Sequence, residues 1–273
     1  MRYRYSFLLI ATAILISCKK EKPIIDPPTL PFPPIVFIKD IVVAFLPSPF
    51  YHFEYNAAGK VTFVSYASDF FRYDVLYNGD KISEMRNNIL VNKDRLQYFY
   101  DNTDRVNAVW YVDSTGLVYT RINLTYDGPK LIKFERERKL GGNFIMDKTI
   151  TMSYHADGNL LDLTVHRPAI VGQNESTVID RYEQYDNKIN AQGFSLLHDG
   201  FFDHFLFLPG VQLQKNNPGK LTHTGDGNNY EGVYTYTYDQ HSAPLTRRGD
   251  FIYATGPNAG QRFLLSSIYT YYP

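Results

Sequence analysis

Cysteine is nearly absent from this chain, and its absence limits how the fold can be held together. The 273 residues include a single cysteine, Cys18. A disulfide needs two cysteines, so no disulfide within the chain can staple the fold. Residues 35–273 must therefore be stabilised by their own hydrophobic core, and a segment of that length is large enough to form one.

Net charge and recognisable catalytic motifs are also lacking. The chain has 28 basic and 28 acidic residues, for a formal net charge of zero. Arg136, Arg138 and Lys139 alternate with acidic residues, as on a solvated strand, so they do not form a basic patch for nucleic acid. No Gly-x-Ser-x-Gly sequence is present, so a hydrolase nucleophile elbow has no support. We expect no nucleic-acid partner and no cofactor.

The apolar run Ser6–Ile16 is too short to span a bilayer, and it follows a basic start at Arg2 and Arg4. Leu15-Ile16-Ser17-Cys18 then resembles a bacterial lipobox. We therefore expect residues 1–17 to be a lipoprotein signal peptide and Cys18 to be the site of lipid attachment. Several acyl chains on that residue would anchor the protein firmly in a bilayer. The alternative is an ordinary signal peptide with a chance cysteine.

Prolines are concentrated directly after this cysteine. Residues 18–34 carry six of them, at positions 23, 27, 28, 31, 33 and 34. Proline at this density favours extended polyproline II and excludes a helix or a central strand. We interpret residues 18–34 as a lipidated cysteine and a tether, either extended or disordered. The expected location is the cell envelope, at the outer membrane, with the periplasmic or surface face left open.

A tyrosine followed by a turn recurs through residues 35–273. One copy is Tyr126-Asp127-Gly128-Pro129-Lys130-Leu131, and Tyr154 begins another. Asp-Gly and Asn-Gly pairs supply the positive φ angles that tight hairpin turns require. The flanking residues alternate between apolar and polar, as in strands. The turn-entry tyrosines are Tyr55, Tyr77, Tyr100, Tyr126, Tyr154, Tyr185 and Tyr238.

Spacings in the twenties between most of these tyrosines match two strands and two turns, so the repeat unit is a hairpin. The pattern Tyr-Asp-x-x-Gly-Lys/Arg-Leu/Val resembles the YD or RHS-type repeats. Together with the leader, it is similar to uncharacterised repeat-sheet lipoproteins common in Bacteroidota. The resemblance covers roughly residues 50–273. It implies an all-β fold, an open, twisted antiparallel meander of repeated hairpins, and a cell-envelope location, but no activity.

Residues 194–210 interrupt the repeat. Phe201, Phe205 and Leu208 have the i, i+4, i+7 spacing of a helical stripe, and Asp199 is suited to be an N-cap. We expect one short helix near residues 198–209 that covers part of the sheet.

Few residues suggest a metal site. His198, Asp199, Asp203 and His204 are ligand types, but the two histidines do not share a helical face. Solvated positions on a helix are the simpler interpretation, and we assign no metal site. The Asp157-Gly158-Asn159 turn and residues 225–229 offer oxygen ligands for calcium, although turns of this composition mostly have a structural role.

Aromatic residues are abundant, with 23 tyrosines and 19 phenylalanines. Cross-strand aromatic pairs stabilise sheets, so most of these residues are expected to be structural. A sheet face rich in aromatics can also bind a glycan or a protein, and Trp110-Tyr111 is the pair we assign to such a site.

Two functional hypotheses remain, and we assign no catalytic residues. The first is a membrane-anchored envelope protein that acts as a non-catalytic binding or scaffold module for a glycan or protein partner. The second is an envelope hydrolase whose site is assembled across strands. Convergence of three or more Asp, Glu and His side chains in one cleft would favour the enzyme.

Overall fold

The structure, a computed structural model, describes residues 36–89, 93–190, 194–197 and 204–273. Expectations for residues 1–34 lie outside this range. Within it, no helix long and apolar enough to cross a membrane is found. The strands are β1 (Ile38–Val43), β2 (Tyr51–Tyr55), β3 (Val61–Tyr66), β4 (Phe71–Asn78), β5 (Lys81–Asn87), β6 (Arg95–Tyr100), β7 (Val106–Val112), β8 (Val118–Asp127), β9 (Lys130–Leu140), β10 (Asn143–Tyr154), β11 (Leu160–Arg167), β12 (Ser176–Glu183), β13 (Phe194–Leu197), β14 (Leu206–Pro209), β15 (Lys220–Gly225), β16 (Tyr230–Tyr238), β17 (Pro244–Tyr253) and β18 (Arg262–Tyr271).

Sixteen of these strands form a closed antiparallel barrel. The barrel follows chain order from β1 to β12, continues through β15 to β18, and closes where β18 pairs with β1. In that seam Ile41 lies opposite Tyr269, and Val43 opposite Ser267. The predictions of an all-β and antiparallel fold are confirmed. The prediction of an open twisted sheet is wrong, because pairing between the first and last strands removes both sheet edges.

The pleat of the strands separates an apolar interior from a polar exterior. In β4, Phe71, Tyr73 and Val75 are buried, while Arg72 is exposed and Asp74 half-buried on the opposite face. This period of two recurs in the neighbouring strands, so their buried side chains join one core cluster inside the barrel.

The remaining two strands, β13 and β14, form a hairpin that packs inside the barrel. Phe205 contacts Tyr51 of β2, Tyr66 of β3 and Tyr73 of β4, and residues 205–208 are all at most 1% exposed. The predicted helix near residues 198–209 is wrong over its described part, because residues 206–209 are a strand. A strand buried on both faces is a continuous apolar run, which periodicity alone cannot distinguish from a buried helix. Residues 198–203 lie outside the described range.

Six of the seven turn-entry tyrosines stand where a hairpin was predicted. Tyr55, Tyr77, Tyr100, Tyr126, Tyr154 and Tyr238 each end or nearly end a strand whose partner follows after a short turn. Tyr185 differs, because the chain leaves the barrel wall after β12 and returns only at β15.

All of the seven except Tyr238 also bond to the preceding hairpin, whereas the Tyr238 hydroxyl donates to the Asp186 carboxylate. The hydroxyl of Tyr77 donates to the Val61 carbonyl at 2.8 Å, and that of Tyr126 donates to the Val106 carbonyl at 2.9 Å. The acceptor lies near the start of the neighbouring strand, which joins the tyrosine's own strand only through a loop at the other end of the barrel. We call this series the tyrosine ladder. Its further members are Tyr55 to Ile38, Tyr100 to Ile82, Tyr154 to Leu131, Tyr185 to Leu160, Tyr236 to Pro218 and Tyr271 to Pro244.

Two turn glycines are expected to be sensitive to substitution. Gly128 has a φ of 53° and Gly158 a φ of 91°, a region that disfavours β-branched residues. Gly128→Val and Gly158→Val should each lower the free energy of unfolding by about 1–3 kcal/mol. Chemical denaturation would measure this, with Thr125→Val on the exposed face of β8 as a control. Unchanged stability in both glycine variants would contradict the turn geometry.

The tyrosine ladder predicts a specific hydroxyl effect. Tyr126→Phe keeps the ring but leaves the Val106 carbonyl without its donor, which should cost about 1–2 kcal/mol of stability. Tyr253→Phe is the matched control, because the Tyr253 hydroxyl donates to no group in the described part of the chain. Equal unfolding midpoints for the two variants in urea would show that the ladder contributes nothing.

Candidate functional site

A cavity opens at the end of the barrel that carries the tyrosine turns. We call this end, formed by residues 56–60, 79–80, 101–105 and 128–129, the tyrosine end. All four turns meet there because every second connection of an up-and-down meander lies at the same end. The cavity has a volume of about 610 Å³, within the range typical of small-molecule sites.

The walls and floor of the cavity are mainly aromatic and aliphatic. Tyr55, Tyr77, Tyr100 and Tyr126 line one side in ladder order. Phe207 of β14 and Val211, just beyond it, line the opposite side, which we call the floor of the cavity. The interior hairpin therefore ends at the cavity, and the ladder that holds the strand ends together also supplies the aromatic wall.

Charged side chains form the rim, and they are already paired. The Lys60 ammonium lies 5.2 Å from the centre of the Tyr77 ring and 2.6 Å from the Asp80 carboxylate. Lys81 repeats the arrangement one hairpin further on, with the Tyr100 ring and Asp104. Each cation therefore connects one turn to the next and covers the tyrosine below it.

Arg105 continues this row of cations. It lies 4.9 Å from the centre of the Tyr126 ring, donates to the Gly128 carbonyl and pairs with Asp101 at 3.0 Å. The rim consequently has donors and acceptors whose charges largely cancel.

Protonation at the cavity is fixed over the physiological range. Burial raises the pKa of Tyr77, Tyr100 and Tyr126 to about 12 in each case. These hydroxyls therefore remain neutral donors to the backbone. The hydrogen bond from Lys60 lowers the pKa of Asp80, so the rim carboxylate stays charged at neutral pH.

This combination suits a neutral ligand with both apolar and hydroxylated faces. Aromatic walls offer contact area, while paired carboxylates and ammonium groups can still accept and donate further hydrogen bonds. An anion would gain less here, because the rim cations already have carboxylate or ring partners.

Sequence reasoning missed two parts of the cavity. The rim cations had a signal, since Lys60, Lys81 and Arg105 each follow a predicted turn at an equivalent position. The floor had none, because Phe207 and Val211 lie in and beside the segment predicted to be a helix.

The two residues predicted to bind a ligand lie on opposite faces of β7. Tyr111 points inward and is 7% exposed. Trp110 points outward, with the Phe99 ring 4.6 Å from its own and the Arg121 guanidinium 5.3 Å away. Adjacent residues of a strand cannot share a face, so these two do not form a common site. The predicted lipid site Cys18 lies outside the described residues.

Of the four candidate metal ligands, only His204 is among the described residues. Its ring nitrogens contact the Tyr73 hydroxyl and, at 3.2 Å, the Asp94 carboxylate, which also accepts from Tyr119 at 2.7 Å. The hydrogen bond from His204 lowers the pKa of Asp94. No group of three metal-ligating side chains is found within the described ranges.

The Asp157 turn, one of the two segments considered for calcium, has its oxygens engaged by its own chain. The Asp157 carboxylate accepts from the Asn159 backbone at 2.9 Å and from its side-chain amide at 3.1 Å. The Asn159 side chain is in turn fully buried and accepts from the backbone of Lys215 and Asn216. These contacts order the returning chain beside the tyrosine end.

Histidines and carboxylates meet only in small separate groups in the part of the chain that the structure describes. His52 lies near Asp40, His204 near Asp94 and His223 near Asp180, the first and last at 2.6 Å. None of these pairs lines the tyrosine-end cavity. The cavity therefore does not have the convergence of acids and histidines that a hydrolase assembled across strands would need.

Comparison with known proteins gives a likeness of fold. No protein-family model matches the sequence, and no curated protein matches it. A porin-like protein from Bacteroides uniformis is 14% identical, with a TM-score of 0.54 over 81% of this chain and 89% of that chain. A porin-like protein from Bacteroides vulgatus is also 14% identical, with a TM-score of 0.55 over 87% of this chain and 99% of that one.

These neighbours overturn the expected membership in the YD/RHS-repeat lipoproteins. The predicted family implied an open repeat sheet, whereas this chain is similar to porin-like proteins and closes into a barrel of 16 strands. A local hairpin motif is compatible with an open sheet and with a closed barrel, so it could not distinguish the two. At 14% identity the likeness establishes the fold alone: this chain has the barrel fold of porin-like Bacteroides proteins.

Proposed function

We propose that this protein is a non-catalytic binding protein of the cell envelope and that it holds a short neutral glycan in the tyrosine-end cavity. The observation that carries the proposal is the cavity of about 610 Å³ with a tyrosine wall and a rim of mutually paired charges. Sugar rings present apolar C–H faces to aromatic side chains and hydroxyls to charged groups. A protein partner that inserts a side chain into the cavity is the second occupant to test.

The envelope location is supported by three features. Residues 2–16 have the pattern of an export leader, Leu15-Ile16-Ser17-Cys18 resembles a lipobox, and the fold is similar to that of porin-like proteins from Bacteroides. The proline-rich segment 18–34 would separate the barrel from the bilayer.

The outer surface favours a barrel held beside the bilayer rather than within it. Arg72 and Arg86 are exposed near the start of β4 and late in β5, and Glu84, the middle residue of β5, pairs with Arg86 at 2.8 Å on the same surface. Membrane-spanning barrels instead present an apolar band at these positions. Attachment through acylated Cys18 would then provide the membrane contact.

The rim carboxylates allow a test that separates a neutral ligand from an anionic one. Asp80→Ala with Asp104→Ala removes two hydrogen-bond acceptors and leaves the rim more positive. Affinity for the best ligand in a panel of neutral malto-, xylo-, cello- and chito-oligosaccharides should fall by about tenfold or more, measured by isothermal titration calorimetry. If the natural ligand were an anion, the same change would strengthen binding.

Two control variants complete this experiment. Asp127→Ala removes an exposed acid of the next turn that does not line the cavity, so it should leave affinity unchanged. Trp110→Ala tests the outer aromatic face. Loss of glycan binding in Trp110→Ala, with normal binding in the double variant, would move the site to that face and overturn the proposal for the cavity. Absence of binding to every oligosaccharide in the panel would also reject it.

Lipid attachment at Cys18 has a direct test. Cys18→Ser removes the only thiol, so the protein should be released from membranes or remain unprocessed. Mass spectrometry of the N-terminal peptide from the native protein should find acyl mass on Cys18. A native N-terminus without acyl groups would refute the anchor.

A further inference from the structure

The half of the barrel interior opposite the hairpin contains an arginine with no carboxylate partner among the described residues. Arg247 lies on the inner face of β17, directly across from Tyr236 of β16 and Ser267 of β18. Its neighbour Arg248 lies on the outer face and is exposed. The pleat thus directs one of two consecutive arginines into the barrel.

The contacts of the Arg247 guanidinium are incomplete. One terminal nitrogen donates to the Ser267 hydroxyl at 3.2 Å, and the guanidinium carbon lies 5.3 Å from the centre of the Tyr234 ring. Its Nε is buried and has no hydrogen-bond partner within the described structure. A guanidinium has five N–H donors, and a buried charge without a counter-charge is costly.

An acid on the inner face of the barrel, three strands away from Arg247, is already paired with another residue. Asp180 of β12 pairs with the His223 imidazole at 2.6 Å. That imidazole stacks on the Tyr230 ring with the centroids 4.5 Å apart and the planes 7° from parallel. The pairing fixes Asp180 at β15 and leaves the Arg247 charge uncompensated by this carboxylate.

The tyrosines around Arg247 are neutral and can donate hydrogen bonds. Burial raises the pKa of Tyr182 and Tyr234, so both remain neutral at physiological pH, and the Tyr234 ring is the one that packs against Arg247. Their hydroxyls donate to no group in the described part of the chain. Tyr234 therefore supplies a hydrogen-bond donor beside the guanidinium rather than negative charge.

We propose that Arg247, with the hydroxyls of Ser267 and Tyr234, binds an oxyanion of a small molecule inside the barrel. The planar guanidinium matches the geometry of a carboxylate or a phosphate, and the hydroxyls complete the donor set. None of these residues lines the tyrosine-end cavity, so this site is separate from the proposed glycan site.

The test is calorimetric titration of the full-length protein with inorganic phosphate and, separately, with acetate at constant ionic strength. Arg247→Met replaces the cation by an apolar chain of similar length, and Arg248→Met is its matched exposed control. The wild type and Arg248→Met should bind at least one probe saturably, and Arg247→Met should bind about tenfold more weakly or not at all. The preferred probe distinguishes a phosphate ligand from a carboxylate.

Tyr234→Phe keeps the test decisive if Arg247→Met does not fold. It preserves the ring that packs against the guanidinium and removes only one donor, so anion affinity should fall by about threefold to tenfold. An anion affinity equal to that of wild type in Arg247→Met, or in Tyr234→Phe where Arg247→Met does not fold, overturns the proposal. So does a wild-type protein that binds neither probe saturably. Neither result depends on oligosaccharide binding in the tyrosine-end cavity, which the Asp80 and Asp104 variants test independently.

Discussion

The hydrogen bond from each ladder tyrosine to the start of the neighbouring strand is the constraint on which this barrel depends. Strand pairing fixes register between neighbours, but the two strands are connected only at the opposite end by a loop. The Tyr77 hydroxyl reaches back 16 residues and the Tyr154 hydroxyl 23 residues to close the open end. Because this bond is repeated, each hairpin is held at a fixed position along the barrel axis relative to the one before it. The register stagger between strands therefore stays regular around the barrel.

The interior of the barrel presents a second constraint. Sixteen strands enclose more space than wall side chains alone fill. In one half, the β13–β14 hairpin fills that space with residues such as Phe205 and Phe207. In the other half, large wall residues reach inward, and the Phe251 ring lies so close to Gly232 and Gly249 that a Cβ at either position would approach it within 2.3 Å. These two glycines admit the ring, and the resulting interior is partly aromatic and partly polar.

The hairpin turns could be predicted from the sequence, whereas closure of the sheet into a barrel could not. Turn residues such as Gly128 need positive φ, and tyrosine before a turn marks a strand end, so hairpins could be predicted from neighbouring residues. Pairing of Ile41 with Tyr269 joins positions far apart in the chain, and no local pattern specifies it. The prediction for the interior hairpin was wrong for a related reason. Burial on both faces removes the alternation of apolar and polar residues by which a strand is recognised. The tyrosine wall of the cavity could thus be predicted from the repeat, whereas its floor depends on tertiary packing of the interior hairpin.

Whether a cation already has a carboxylate partner, rather than its residue type, determines what each site can bind. Lys60 and Arg247 are both cations beside a tyrosine ring, at 5.2 and 5.3 Å. Lys60 also has the Asp80 carboxylate at 2.6 Å, whereas Arg247 has only the neutral Ser267 hydroxyl at 3.2 Å among its described hydrogen-bond partners. An anion that approaches Lys60 must compete with Asp80, while one that reaches Arg247 would supply a missing counter-charge in a less solvated place. The same barrel can therefore present a site for a neutral ligand at its tyrosine end and a site for an anion within its wall, because only one of the two cations is already neutralised.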